Sequence, residues 1–211
     1  MSYLQNFITL KDQIYKLNPK INLVVVTKNQ SLDLIGPIIK AGHVHFGENK
    51  VQEAKNKWEE IKKKETHLNL HLIGKLQSNK AKDAFEIFDF IHTLDNEKLA
   101  KIFSNLENNS EKKIKYFIQV NIGNEPQKSG IELSKLEPFI KYCKHDLKLN
   151  ILGLMCIPPK DLDASVFFLN LKKENDKNLL QDLSMGMSSD YKHAIKFGAT
   201  YLRIGSLIFK D

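Results

Sequence analysis

Asn22-Leu23-Val24-Val25-Val26-Thr27-Lys28-Asn29-Gln30 (NLVVVTKNQ, residues 22–30) decides between two folds. Residues 22–26 form a nearly unbroken apolar, β-branched run, the pattern of a parallel strand covered on both faces. An open, doubly wound sheet would follow its first strand with a glycine-rich loop. Here the turn holds no glycine and reads Thr27-Lys28-Asn29-Gln30. The absence favours a closed barrel.

Working outward, β-rich apolar runs recur at residues 44–46, 68–73, 88–92, 116–121, 149–154, 183–185 and 201–204. Between them lie amphipathic stretches, among them 31–41, 49–64, 96–108, 134–143, 164–177 and 190–197. Alternating β and α units build a parallel sheet. Eight of them predict a single α/β domain over residues 1–211, a (β/α)8 TIM barrel with an extra helix at residues 2–17 ahead of the first strand. At 211 residues the chain is short for a fold that usually takes about 250, so its loops must be short. The Pro158-Pro159 pair reads as a turn.

Composition narrows the function. The net charge of +7 comes from lysines spread along the chain and interleaved with acids, as in KNKWEEIKKKE at residues 55–65. A nucleic-acid surface would concentrate basic and aromatic residues and include arginine for base edges, so none is expected. Residues 1–17 lack the continuous apolar stretch of a signal peptide, and no run approaches the ~20 apolar residues of a membrane span. Cys143 and Cys156 lack metal-ligand spacing. A reduced cytoplasmic compartment is the expectation. His43 and His45 alternate along one predicted strand and His71 lies in another, but without neighbouring carboxylate or thiolate ligands they read as core or rim histidines rather than a metal site.

The chain holds 31 lysines and one arginine, Arg203. Where lysine serves every solvated positive charge, a lone guanidinium marks a position that needs a planar, always-charged fork of donors. Arg203 lies in the last strand and is followed by Gly205-Ser206. Lys28, Asn49, the segment 74–80, Met155, the segment 186–189 and Arg203 all fall at or just after strand ends. In a barrel these positions converge on the C-terminal rim, where active sites of this fold sit. Ser188 and Ser189 offer hydroxyls, and Gly205 and Ser206 offer backbone N–H groups at the start of a last turn; helix capping and phosphate binding use the same parts. Lys28 ends an apolar strand, where desolvation would lower its amine pKa and favour attack on a carbonyl. A lysine facing a phosphate cradle suits either a phosphosugar aldolase, for which Glu48 is the obvious rim carboxylate, or a pyridoxal 5'-phosphate site.

The segments VVVTK (24–28), HFGENKVQE (45–53), HLIGKLQSNK (71–80), KSG (128–130), GLMCIP (153–158) and SMGMSSDYKHAIKFGATYLRIGSLIF (184–209) together resemble the pyridoxal phosphate homeostasis protein family, itself similar in fold to the N-terminal barrel of alanine racemase. The likeness runs along essentially the whole chain, and the C-terminal block is its most specific part. The resemblance implies pyridoxal 5'-phosphate held as an aldimine on Lys28, its phosphate on Ser188, Gly205 and Ser206, Arg203 at the pyridine nitrogen, and Asn49 and Met155 near the ring. Lys80 and Lys128 match family motif positions. Gln30-Ser31 and Phe209-Lys210 depart from the family's usual proline and Phe-Gly. The implied role is a cytoplasmic, non-enzymatic buffer or carrier that maintains vitamin B6 homeostasis, a monomer or weak dimer with pyridoxal phosphate-dependent apo-enzymes as recipients. The alternative is a racemase-like enzyme, but that chemistry needs acid–base groups on two substrate faces, and only about seven residues follow the last strand.

Overall fold

Strand β1 (Asn22–Val26) pairs in parallel with β2 (His45–Glu48) on one side and with β8 (Tyr201–Ile204) on the other, so the sheet closes on itself. In the computed structural model, which describes residues 2–210, the order around the barrel continues through β3 (Asn69–Leu72), β4 (Phe90–Leu94), β5 (Lys115–Gln119), β6 (Asn150–Met155) and β7 (Asp182–Ser184). The crossovers are α2 (Leu32–Lys40), α3 (Val51–Lys64), α4 (Ala81–Ile87), α5 (Glu97–Asn108), α6 (Leu133–Lys141), α7 (Ala164–Lys177) and α8 (Tyr191–Lys196). Ahead of them stands α1 (Tyr3–Leu17), and a last turn, α9 (Ser206–Phe209), follows β8. The expected barrel and its leading helix are both present.

Local chemistry explains the added helix. The Ser2 hydroxyl accepts the Gln5 N–H at 3.3 Å and caps α1, whose Phe7, Leu10 and Ile14 fall on one face and are buried. The Asn6 amide reaches the Ile208 carbonyl at 3.3 Å and ties the helix to α9. Outside the barrel, the core between sheet and helices is apolar, with Trp58, Phe46, Phe103, Tyr116 and Phe168 fully buried.

Several element boundaries moved. The second strand, expected at 44–46, runs His45–Glu48. Gly47 is needed there, since a Cβ would lie 2.8 Å from Val24 Cγ1. The fourth, expected at 88–92, runs Phe90–Leu94, because the Phe88 N–H instead closes α4 on the Ala84 carbonyl. His43 and His45 do not share a face. His43 precedes β2 and packs edge-on between Phe7 and Phe46, with Nε2 2.9 Å from the His45 carbonyl.

The inside of the barrel is the unusual part. Barrels are normally filled by layers of branched apolar residues. Here Val24, Phe90, Phe117, Met155 and Tyr201 share the interior with His45, His71, His92, Ser184 and Arg203. The imidazoles are held by aromatic faces: His71 stacks on Phe90 at 4.2 Å between centroids, and His92 on Phe117 at 4.5 Å.

Burial keeps these histidines neutral. Desolvation, first of all, lowers His43 to about 3 and His45 to about 4, and it pushes His71 and His92 well below the ordinary imidazole value. In the unfolded chain the same groups titrate near 6.5. Below that pH the unfolded state binds protons that the native state refuses, so stability is full above about pH 7 and falls as the solution is acidified. At pH 5 the loss amounts to roughly 2 kcal/mol for each such histidine. Urea unfolding at pH 7.5 and pH 5 should show this loss, and equal midpoints at the two pH values would contradict neutral burial.

Candidate functional site

Lys28 is set by a buried carboxylate behind it. The Glu48 side chain, fully buried, turns outward from the barrel, where its Oε1 accepts the Thr27 hydroxyl at 2.7 Å, the Lys57 ammonium at 2.9 Å and the Trp58 indole N–H at 3.0 Å. Lys57 also donates to the Thr27 carbonyl at 2.7 Å and to Glu53, and Glu53 accepts the Asn29 N–H at 2.6 Å. Burial works against ionisation of Glu53, yet the Asn29 N–H and Lys57 hold its carboxyl below the usual range. Four side chains of β2 and α3 therefore grip the turn after β1. Asn29, at φ +58°, is the left-handed residue of that turn, a conformation asparagine tolerates. Glu48, the carboxylate an aldolase would have needed at the rim, is committed to this structural role.

The Lys28 side chain itself is exposed. The protein alone does not desolvate it as its place after an apolar strand had suggested, because burial ends at Thr27 and Lys28 stands out in the turn.

The neighbouring loops approach closely. Gly74, after β3, lies so near the Asn49 backbone that a Cβ would sit 2.2 Å from the Asn49 carbonyl oxygen. After β7, Gly186 takes φ +95° and packs against Ala194 and Leu202, and the Asp190 carboxylate accepts the Met187 N–H at 2.6 Å. Ser188 and Ser189 follow in that turn, and Gly205 and Ser206 open α9 beside the end of β1. Their N–H groups belong to turn and helix starts, where no intrahelical acceptor exists.

Arg203 is 4% exposed. Its Nη1 donates to the Ser184 hydroxyl at 2.6 Å and its Nη2 to the Cys156 carbonyl at 2.9 Å. These contacts occupy two of the five N–H donors a guanidinium carries. No carboxylate forms an ion pair with it among the described residues. Burial lowers its pKa from the ordinary value, with Cys156 and Asp190 acting in the opposite sense.

Lys28, Asn49, Ser188, Arg203, Gly205 and Ser206 come together around one cavity of about 450 Å³ on the C-terminal rim. Val26, Ile73, Ile157, Met187 and Ser189 complete its wall. Met155 is not part of the lining; it is fully buried in the interior layer with Tyr201 and Phe117. Lys80 and Lys128 do not line the cavity either, and Lys128 pairs with Glu125 at 2.5 Å. Sequence reasoning missed Ser184, the hydroxyl on which Arg203 rests. Its signal was a polar residue inside a short apolar strand.

The polar groups of the lining are an amine, a guanidinium, an amide, hydroxyls and backbone N–H donors, and among the described residues no carboxylate lines it. That set fits an anionic, phosphorylated molecule. The size falls in the range of small-molecule pockets.

The chain matches the family profile of the alanine racemase N-terminal domain over residues 4–211. Alanine racemase from Corynebacterium glutamicum superposes with a TM-score of 0.75 at 14% identity, with 99% of this chain and 60% of that chain covered, a likeness of fold alone. Closer relatives sharpen the assignment. The pyridoxal phosphate homeostasis protein of Buchnera aphidicola is 34% identical over 96% of this chain and 91% of its own length, and that of Vibrio cholerae is 36% identical over 90% and 85%. PipY of Synechococcus elongatus, solved with PLP bound, superposes with a TM-score of 0.86 at 34% identity over 98% of this chain and 99% of that one. The chain belongs to the pyridoxal phosphate homeostasis protein family.

The grip on the Lys28 turn has a measurable energy. Glu48→Ala takes one of three acceptors from the mostly buried Lys57 ammonium, leaves the buried Trp58 indole N–H without its acceptor and leaves the Thr27 hydroxyl only the Gly47 carbonyl, and should cost about 3–5 kcal/mol. Trp58→Phe removes one neutral donor to the same carboxylate, and the lost hydrogen bond should cost about 1–3 kcal/mol. Urea unfolding of both variants checks the order, and a larger loss in Trp58→Phe would remove the carboxylate from its central place.

Proposed function

We propose that the chain binds pyridoxal 5'-phosphate in the rim cavity and serves the cell as a cytoplasmic buffer and carrier of that cofactor, without substantial catalysis. The observation that carries this reading is the convergence of Lys28, the two serine-bearing turns and a buried guanidinium in one cavity free of carboxylates. The relatives' names and the PLP-bound PipY support the same ligand.

When bound, the cofactor supplies a reactive aldehyde and an electron-withdrawing ring. Lys28, its turn braced by Glu48 and Lys57, would hold the aldehyde end through Nζ. The phosphate falls to the Ser188 and Ser206 hydroxyls and to the N–H groups of Gly205 and Ser206. Asn49 lies at the ring edge. Met155, buried in the interior layer, is not among the residues that would hold the cofactor.

Arg203 lines the cavity and would offer the pyridine nitrogen an N–H donor. A guanidinium does not accept a proton and does not leave one behind, so the nitrogen would stay unprotonated and the ring a weak electron sink. Lysine would serve less well, because a desolvated ammonium gives up its proton more readily. Racemisation needs an acid–base group on each substrate face. Among the described residues Lys28 is the one lining side chain of a usual acid–base type. Exchange of the bound aldehyde with amines of recipient apo-enzymes needs no such pair.

Borohydride treatment of protein loaded with pyridoxal 5'-phosphate should fix the label on Lys28, as read by peptide mapping; label confined to other lysines would rule out the assignment. Ser188→Ala should weaken retention by about 1.5–3 kcal/mol through the loss of one charge-assisted hydrogen bond, measured by equilibrium dialysis.

Loaded protein incubated with common amino acids in deuterated water should exchange α-protons far below the ~10 per second of a median enzyme. Exchange near that rate, abolished in Lys28→Ala, would favour the racemase-like reading.

A further inference from the structure

Four polar side chains in the barrel interior form an unbroken line that ends on Arg203. Arg203 Nη1 lies 2.6 Å from Ser184 Oγ, Ser184 Oγ lies 2.7 Å from His92 Nδ1, His92 Nε2 lies 2.9 Å from His71 Nδ1, and His71 Nε2 lies 2.9 Å from His45 Nδ1. The line draws one residue from each of β8, β7, β4, β3 and β2. Its inner end, Arg203, lines the rim cavity. Its outer end, His45, is half-buried at the start of β2, toward the N-terminal mouth.

The donor at the inner end fixes the direction of every link. A guanidinium has N–H groups and no acceptor, so Ser184 Oγ accepts from Arg203. A hydroxyl can accept two hydrogen bonds, but among the described residues His92 Nδ1 is the one acceptor that meets the Ser184 hydroxyl, so its proton goes there, which leaves the His92 hydrogen on Nε2, where it donates to His71 Nδ1. By the same step His71 carries its hydrogen on Nε2 and donates to His45 Nδ1. All three imidazoles are thus neutral Nε2–H tautomers, and each Nδ1 lone pair is already filled.

This arrangement has a consequence for protons. One arriving at His45 finds Nε2 carrying hydrogen and Nδ1 engaged by His71. Passing it inward requires the whole line to reverse, which makes Ser184 Oγ accept from both Arg203 and His92 and leaves its own buried proton facing only Arg203, which has no lone pair to receive it. We propose that Ser184, His92, His71 and His45 are positioning residues that hold Arg203 as a fixed donor, and that Arg203 in turn locks the line in one direction and closes the cavity floor to protons entering from the N-terminal mouth. The link to the cofactor rests on the reading that Arg203 faces its ring nitrogen.

The surroundings agree. Burial is the main cause that keeps His71 and His92 uncharged; His92, His45, His43 and Lys62 add to it at His71, and Arg203 and His45 add to it at His92. At His45, after burial, Lys115 of β5 opposes protonation and Asp89 favours it.

The test has two parts. In the cofactor-free, ¹⁵N-labelled chain, two-bond nitrogen–proton correlation spectra at pH 7 should show His45, His71 and His92 as neutral Nε2–H tautomers. Any of the three found as Nδ1–H or doubly protonated overturns the line, and this measurement needs no variant to fold. In Arg203→Met the lock is gone, and a fraction of His92 should appear as Nδ1–H; an unchanged tautomer there overturns the locking. The second part uses Ser184→Ala, with His92→Gln as its alternate, loaded with pyridoxal 5'-phosphate. The pH midpoint of the bound chromophore should move upward by about half a unit or more relative to the unsubstituted protein, whereas an unmoved midpoint overturns the part that Ser184 and His92 play in holding Arg203. Borohydride label on lysines other than Lys28 would instead count against the cofactor reading and leave the tautomer result standing on its own.

Discussion

Burying a guanidinium is costly unless oxygens meet its donors, and Arg203 meets that demand with one hydroxyl and one carbonyl from the two preceding strands. Much else is arranged around this solution. The carbonyl belongs to Cys156, just past β6, and the hydroxyl belongs to Ser184 at the end of β7. Those two strands must therefore hold their register against β8 to within hydrogen-bond tolerance. The same hydroxyl anchors the imidazole line, so the polar filling of the barrel depends on Arg203. A purely apolar interior would have been simpler to pack. It would also have left the charge at the cavity floor without support.

A second brace acts at the opposite wall. Glu48 draws together a hydroxyl, an ammonium and an indole N–H, and Glu53 completes the grip through the backbone of Asn29. Lys28 gains from this a rigid backbone beneath a free side chain. Under the proposed function the combination suits a residue that forms and releases a bond to a reactive aldehyde, since a loose turn would raise the entropic cost of each capture. Glu48 Oε2 remains buried without a hydrogen-bond partner. The carboxylate is thus satisfied on one oxygen only.

Legibility in the sequence followed the physics of each part. The first and last strands, 22–26 and 201–204, could be read from their apolar runs alone, and so could α7, because burial on both faces or along one stripe leaves a periodic trace. Glu48 and Thr93 hid the true strand ends, because polarity reads as solvent exposure when the partner that satisfies it is distant in sequence. Rim residues were legible because a barrel assigns position by strand end, which is how Lys28, Ser188 and Arg203 could be grouped before any coordinates. Met155 shows the limit. A strand-end residue points either to the cavity or to the interior, and that choice depends on shear between strands, which no single strand records. The alignment of His45, His71 and His92 was hidden for the same reason.

The closure of the sheet between β1 and β8 also orders events in time. The Lys28 amine stands after the first strand, and the guanidinium and serine that complete the cavity stand on or after the eighth. Because a polypeptide is made from its amino end, no nascent segment lacking β8 can assemble the cavity, however well its earlier units have folded. Ligand capture is therefore a late event in the life of each molecule, reserved for chains whose barrel has closed.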